Sequence, residues 1–307
     1  MRSEMHRLSA PAKGGHTSVL LHEAIELMEL VPGDTVVDAT LGGAGHARAI
    51  VERLGKAGTL IGFDLDHDAI LRAREALAEV APKTHLVEAN FRHLRAELEK
   101  LGLTQITKAL FDLGWSSYQL DAGRGFSLKS DEPLLMTYSK DETALTAARI
   151  VNEWGEASLA DVLYGWGEER YARRIAKSIV ERRESKPFTT ARELAEAISA
   201  AVPPRYRFGR IHPATRSFQA LRIAVNDELG ALLQGVKAAW EILAPGGRIA
   251  VITFHSIEDR LVKQTLKQWE EAGEGKRITR KPIVPSEEEL AQNPRARSAK
   301  LRVIQKI

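Results

Sequence analysis

The rhythm of this chain constrains its fold more than any single motif. Four short β-branched or aliphatic runs, "TVVDA" (35–39), "TLIGFD" (59–64), "THLVEA" (84–89) and "KALFDL" (108–113), read as strands. Helical runs separate them: "GHARAIVERLG", closed by Gly55, "HDAILRAREALAEV", stopped near Pro82, and "RHLRAELEKLG", closed by Gly102. A helix over "VLLHEAIELMEL" precedes the first strand and stops at Pro32-Gly33. Strands alternating with helices imply right-handed crossovers and a parallel sheet. From about Gly123 to Arg216 the alternation breaks into a loop and four helices, "ETALTAARIVNEW", "SLADVLYGW", "EERYARRIAKSIVERRE" and "TARELAEAISAAV". It resumes with one long helix, "RSFQALRIAVNDELGALLQGVKAAWEIL", the strand "RIAVITF" (248–254) and the helix "IEDRLVKQTLKQWEE". "RITRKPIV" and "LRVIQKI" supply the last two strands. The expected fold is α/β: a doubly wound, Rossmann-like sheet with an all-helical insertion after its fourth strand. Residues 16–122 and 217–307 form the sheet domain, 123–216 the insertion, and 1–15 a flexible polar tail.

The stretch "VVDATLGGAGH" (36–46) raises the functional question. Side chains are missing where something must come close, here at the carboxyl end of the sheet, where open α/β sheets bind ligands. Backbone N–H groups at the following helix start suit a polar ligand. Asp64, at the end of the second strand, is placed to accept hydrogen bonds from both hydroxyls of a ribose. The candidates are a dinucleotide and S-adenosylmethionine. The dinucleotide fingerprint fails, because counting from Gly43 gives Gly43, Gly45 and then Arg48 where the third glycine belongs. Asp38, at the end of the first strand, suits a cofactor with a cationic amino-acid end. Asp64, Asp66, Asp68 and Glu75 also fall on calcium-loop spacing, but Ala69 stands where that loop needs glycine and a strand precedes it. Asp66 and Asp68 fit helix capping instead.

Composition narrows the chemistry. The chain has no cysteine, which excludes disulfides, thiolate zinc sites and a cysteine nucleophile. Its nine histidines show no paired spacing such as H-E-x-x-H, so no metal is expected. No apolar run reaches the length of a membrane span, and the N-terminus lacks the apolar stretch of a secretion signal, so a cytoplasmic protein is expected. Net charge is only +3, yet arginines gather in "RYARRIAKSIVERR", "PPRYRFGRIHPATR" and "NPRARSAKLR". Such clusters suit a phosphate backbone, though solvated faces give the same pattern. Arg173 and Arg174 stand in the first cluster, and Arg216 closes the second.

The fourth strand ends in "FDLGWSSYQLD", which brings Asp112, Gly114, Ser116 and Ser117 to the same cleft. Asp112 suits an amino-group donor, and Gly114 suits the close approach of a flat base. At this point the chain resembles the ribosomal small-subunit RNA methyltransferase H family, also called MraW. The resemblance runs from "HTSVLLHEAIE" to "NPRARSAKLRV" and is carried by "DATLGGAGH", "GRGFS", "YGWGEERYARRIAKSIVE", "HPATRSFQALRIAVNDEL" and "ITFHSIEDRLVK". It implies methylation of the exocyclic N4 of a cytosine in the decoding region of 16S rRNA, with S-adenosylmethionine as cofactor. It implies cofactor contacts at Ala44, Gly45, His46, Asp64, Phe91, Asp112 and Gln119. Trp115 and Tyr118 replace a small aliphatic residue and a proline of the family, and Leu135 and Thr137 replace its acid and arginine.

Methylation at a cytosine ring carbon generally needs a cysteine; methylation at the amino nitrogen does not, and this chain has none. The residues expected at the reacting centre are Asp112 first, then Ser116, Ser117 and His255, the last equally suited to a structural role. Arg216, Gln219, Arg222 and Asn226 fall near one face of a helix, where an RNA contact or the polar side of an amphipathic helix gives the same spacing. The partner expected is small-subunit ribosomal RNA or the assembled small subunit. The alternatives are a DNA amino methyltransferase, an inactive ribosome-assembly factor with the same fold, and a nicotinamide oxidoreductase.

Overall fold

The computed structural model describes residues 18–80, 82–114, 123–138 and 143–307. The tail expected over 1–15 lies outside them. Helix α1 (Leu21–Met28) precedes β1 (Thr35–Asp38), α2 (Gly45–Leu54), β2 (Thr59–Asp64), α3 (His67–Ala76), β3 (Lys83–Glu88), α4 (Leu94–Lys100) and β4 (Ile106–Asp112). A helical body follows: α5 (Ala147–Glu153), α6 (Glu156–Gly165), α7 (Ala172–Arg183), α8 (Ala191–Ala201), the single turn α9 (Pro204–Arg207) and α10 (Thr215–Asn226). The chain closes with α11 (Glu228–Ile242), β5 (Leu243–Thr253), α12 (Ser256–Glu271), β6 (Gly275–Arg277), α13 (Glu287–Gln292) and β7 (Lys300–Lys306).

The seven strands form one sheet in the order β3-β2-β1-β4-β5-β7-β6. β3 through β5 are parallel, and β7 runs antiparallel to both of its neighbours. Alternation along each strand fills two cores, because successive side chains point to opposite faces. Val36, Leu60, Leu110 and Ile252 pack with α1, α2 and α3, while Val37, Ile61, Phe111 and Val251 pack with α4, α11 and α12. Order reverses between β1 and β4, so the crevice opens where Asp38, Asp64 and Asp112 end their strands.

Two expectations change. The long helix expected over 216–243 is two helices: Asp227 adopts a left-handed conformation (φ 46°, ψ 47°) and ends α10 as it starts α11. Arg92 secures the break by donating to the Asp227 carbonyl and carboxylate at 3.0 and 2.9 Å. The apolar period continues through the break, so nothing in the pattern marks it. The strand expected from "RITRKPIV" contributes only Arg277 to β6 and a bridge from Ile283 to Leu301.

A third core belongs to the helical body and includes Ile150, Leu163, Ile175, Leu194, Phe218 and Leu221. α10 is therefore packed with the inserted helices. Glu168 joins this body to the start of α12, accepting from Ser256 Oγ at 2.6 Å and pairing with Arg260.

Candidate active site

The turn after β1 takes its shape from two left-handed residues, Gly42 (φ 50°) and Ala44 (φ 60°). Leu41 N–H donates to the Phe63 carbonyl and Ala44 N–H to the Leu41 carbonyl, which folds the turn over the end of β2. Gly42 and Gly43 line the resulting cleft. Ala44 and Gly45, expected as cofactor contacts, are not among the residues lining the cleft: Ala44 is buried in the core, and a Cβ on Gly45 would lie 2.1 Å from Ser18 Oγ. The cleft encloses about 1080 Å³ including its open mouth, large enough for a nucleoside cofactor.

Three carboxylates close the strand ends. Asp64 accepts the Gly42 and Asp66 N–H groups, each at 2.9 Å. Burial pushes its carboxyl above the ordinary range, against the lowering effect of those two donors. Asp38 is fully buried; Oδ1 accepts the Thr40 N–H at 3.1 Å and Oδ2 has no partner among the described residues. Burial holds its carboxyl well above the usual range, and Asp112 and Asp64 add to the shift. Asp112 accepts the Gly114 N–H at 3.3 Å and faces His46 Nδ1 at 3.4 Å. Its own N–H donates to Thr40 Oγ1 at 2.7 Å. Burial lowers His46 to about 4, against the raising effect of a hydrogen bond with the Val19 backbone, so the ring is neutral at physiological pH. A buried acceptor left open, as Asp38 Oδ2 is among the described residues, suits a ligand bearing positive charge.

On the opposite wall Phe91 meets Phe111 edge-on at 5.6 Å and is pressed against Gly235 of α11. Phe91, expected beside the adenine, lines the cleft. The space at Gly114 is already filled on one side, since a Cβ there would lie 2.8 Å from the Phe254 ring.

The far end of the cleft is formed by groups that went unassigned in the sequence: Tyr138, Glu228 and Glu258. Glu228 accepts from the Tyr138 hydroxyl at 2.9 Å and pairs with Arg222 at 2.8 Å. Burial raises the Tyr138 phenol well above its ordinary range, and Glu228 reinforces this. Glu258 accepts the Phe254 N–H at 2.9 Å and the His255 N–H at 3.3 Å. Glu228 and Glu258 sit inside stretches that carry the family resemblance, the only sequence signal that marked them.

The remaining candidates divide. His255 caps α12, its Nδ1 accepting the Glu258 N–H at 3.3 Å, and does not line the cleft. Glu228, His255 and Glu258 are close enough together to hold an ion, but the two carboxylates already have the partners named above. Arg222 and Asn226, expected as RNA contacts, hydrogen-bond within the protein. Arg222 is 9% exposed against Glu228, and Asn226 bridges the Tyr138 N–H and the Met136 carbonyl while lining the cleft. Gln219 donates to the Trp166 carbonyl. Arg173, Arg174 and Arg216 are exposed, Arg216 donating to the Glu168 carbonyl. Leu135 and Thr137 thread the segment that leads to Tyr138, with the Leu135 carbonyl accepting from Ala147 and the Thr137 carbonyl from Arg124. Trp115, Ser116, Ser117, Tyr118 and Gln119 lie outside the described residues.

The pattern of the MraW methylase family matches residues 13–307. A protein of Paenibacillus sp. (strain JDR-2), described as "Ribosomal RNA small subunit methyltransferase H", is 47% identical, the alignment covering 95% of this chain and 99% of that protein. Proteins of the same description from Clostridioides difficile (strain 630) and Brevibacillus brevis (strain 47) are each 46% identical, covering 95% of this chain and 99% and 98% of theirs. A match along nearly the whole of both partners leaves one conclusion: the chain belongs to the MraW methylase family.

Proposed function

We propose that this methyltransferase transfers a methyl group to the exocyclic N4 of a cytidine in the decoding region of 16S ribosomal RNA. The observation that carries the reading is the pair of strand-end carboxylates, Asp64 and Asp112, that line one cleft, with Asp38 buried at the neighbouring strand end and its Oδ2 unpartnered among the described residues. That open acceptor fits the cationic methionine end of S-adenosylmethionine, and the relatives' shared description supports small-subunit RNA as substrate.

Asp64 would hold the ribose, Phe91 would lie beside the adenine, and Asp38 would face the ammonium group. S-adenosylmethionine supplies an electrophilic methyl group. Asp112 then has two tasks: to help fix the methionine end and to accept a hydrogen bond from the target amino group. Accepting from that N–H favours a more tetrahedral nitrogen, whose lone pair is freed from the ring. Alignment is the main requirement, so the walls act chiefly by orientation. Tyr138, Glu228 and Glu258 place polar groups at the end of the cleft that adjoins the helical body, where an extruded base would enter. The helical body, with Arg173, Arg174 and Arg216 on its surface, would hold the RNA.

The test is transfer of tritiated methyl groups to free small-subunit RNA, assembled small subunits and DNA, followed by mass spectrometry of the product nucleosides. N4-methylcytidine from RNA or subunits is the expected product. Methylation of DNA alone, or cofactor binding without transfer to any of the three, would overturn the reading.

A further inference from the structure

The segment between α8 and α10 divides its residues between two tasks. Tyr206 and Arg207 hold it in place. The Tyr206 hydroxyl donates to buried Glu169 at 2.7 Å, and its ring meets Tyr171 edge-on at 5.0 Å. Arg170 lies over both rings. Arg207 donates to the Ala200 carbonyl at 3.2 Å, at the end of α8. Around these anchors the other side chains turn outward. Phe208 is 83% exposed and Ile211 55%. Arg205 and Arg210 are exposed, and neither has an ion-pair partner among the described residues. Beside them a groove of about 750 Å³, open to solvent, is lined by Lys129, Arg192, Arg207, His212 and Glu196, with Arg192 paired to Asp131 at 3.0 Å, so Lys129 and Arg207 carry the positive charge toward the tip. Phe208 and Ile211 together expose apolar surface beside arginines unpaired among the described residues, which is the composition a binding surface needs. Aromatic rings stack on unpaired bases, and arginines take the adjoining phosphates.

We propose that Phe208 is a stacking site for one unpaired base of the RNA substrate, with Arg205 and Arg210 on the flanking phosphates. The proposal rests on the protein being an RNA methyltransferase. It also fixes which base is held. α10 has 12 residues, about 18 Å at 1.5 Å per residue, and Asn226 at its far end lines the cleft. Phe208 lies seven residues before the start of α10, and that helix alone spans roughly five stacked nucleotides at about 3.4 Å each, so the proposal places Phe208 on a nucleotide several positions from the base being methylated. Phe208 grips a flanking nucleotide and acts on RNA affinity.

The experiment is fluorescence anisotropy of a labelled single-stranded RNA carrying the target cytidine, with arms longer than this span. Phe208→Ala should weaken binding roughly five- to hundredfold, the range for one stacked base. Its salt slope and its affinity for S-adenosylmethionine should match the parent. Phe208→Trp should bind as tightly as the parent or tighter. Arg205→Ala and Arg210→Ala should each reduce the salt slope by about one. On an RNA trimmed to about two nucleotides either side of the cytidine, too short to reach the tip at about 3.4 Å per nucleotide, Phe208→Ala and parent should bind alike. Equal binding on the long RNA, or the same penalty on the trimmed one, overturns the proposal. So does a Phe208→Ala defect confined to self-association or to binding another protein. Phe208-dependent binding without methyl transfer would sink the functional reading and leave the stacking site standing. Transfer with no Phe208 dependence of RNA binding would do the reverse.

Discussion

Asp64 Oδ2 accepts the Gly42 N–H at 2.9 Å, joining the end of β2 to the turn after β1. One carboxylate thus braces the glycine turn while keeping lone pairs for a ligand. Asp64→Ala should raise the dissociation constant for S-adenosylmethionine roughly ten- to hundredfold, matching about 1.5–3 kcal/mol for hydrogen bonds to a charged group. Turnover should largely recover at saturating cofactor. Calorimetric titration and single-turnover transfer read the two effects, and an unchanged dissociation constant would remove Asp64 from the ribose.

Asp112 should behave differently. Asp112→Asn keeps the shape and turns a charged acceptor into a neutral amide, beside His46 Nδ1 at 3.4 Å. Its defect should persist at saturating cofactor as a lower single-turnover rate. Full rescue by added cofactor would place the target amino group elsewhere.

Asp38 should make cofactor affinity depend on pH. Burial keeps its carboxyl protonated above the usual carboxylate range, with Asp112 and Asp64 adding to the shift. The folded state therefore holds a proton that the unfolded chain has lost, so this group's contribution to stability falls as pH rises from the ordinary carboxylate value through the raised one. A cation beside Oδ2 favours the ionised form. Cofactor binding should release a proton in that window, and affinity should rise with pH until Asp38 is ionised in the free protein. Calorimetry in buffers of different ionisation enthalpy measures the proton count. Asp38→Asn should flatten the dependence, weaken binding and raise the melting temperature. Proton uptake on binding would contradict the assignment.

The sheet and the turn were legible in the sequence because both follow local rules. Strand period, helix stops and the glycine run place Asp38, Asp64 and Asp112 at neighbouring strand ends before any coordinates are known. The far wall was not legible. Tyr138, Glu228 and Glu258 come from a loop and two helix starts far apart in sequence, and only packing brings them together. Arg222 and Asn226 show the limit of helical spacing. Polar residues on one face read alike, but Arg216 at one end is exposed while Arg222 and Asn226 at the other are covered by Tyr138 and Glu228. The left-handed break at Asp227 turns Glu228 back onto Arg222, and no periodicity reveals a single residue's φ.

Gly45 tests the packing of the turn. An added Cβ would lie 2.1 Å from Ser18 Oγ and 3.3 Å from Ser18 Cβ. Gly45→Ala should destabilise the protein by about 1–3 kcal/mol, the usual range for overpacking, and weaken cofactor binding. Adding Ser18→Gly removes the colliding side chain and should restore most of both, measured by urea unfolding and titration. A double variant no better than Gly45→Ala alone would mean that the clash is not the cause.

Arg222 and Arg216 separate a structural arginine from an RNA-facing one. Arg222 and Glu228 pair at 2.8 Å with side chains 10% and 15% exposed, and the Asn226 side chain donates to the Arg222 carbonyl at 2.9 Å. Burial opposes the guanidinium charge, but Glu228, Tyr138 and Glu258 outweigh it and raise the Arg222 pKa above its ordinary value. Removing one partner of a buried pair typically costs about 3–5 kcal/mol, because the other charge is left without compensation. Arg222→Glu also sets two carboxylates together at the wall of the cleft. It should lower the urea midpoint sharply and weaken cofactor and RNA binding together. The swap Arg222→Glu with Glu228→Arg should recover part of the stability. Arg216→Glu alters an exposed side chain that donates to the Glu168 carbonyl, so its stability should stay within about 0.5 kcal/mol of the parent. Its RNA affinity should fall, with a shallower salt slope and unchanged cofactor binding. If Arg222→Glu unfolds at the parent's urea concentration and loses only RNA affinity, then Arg222 contacts the substrate directly and its pairing with Glu228 does not hold the cleft together.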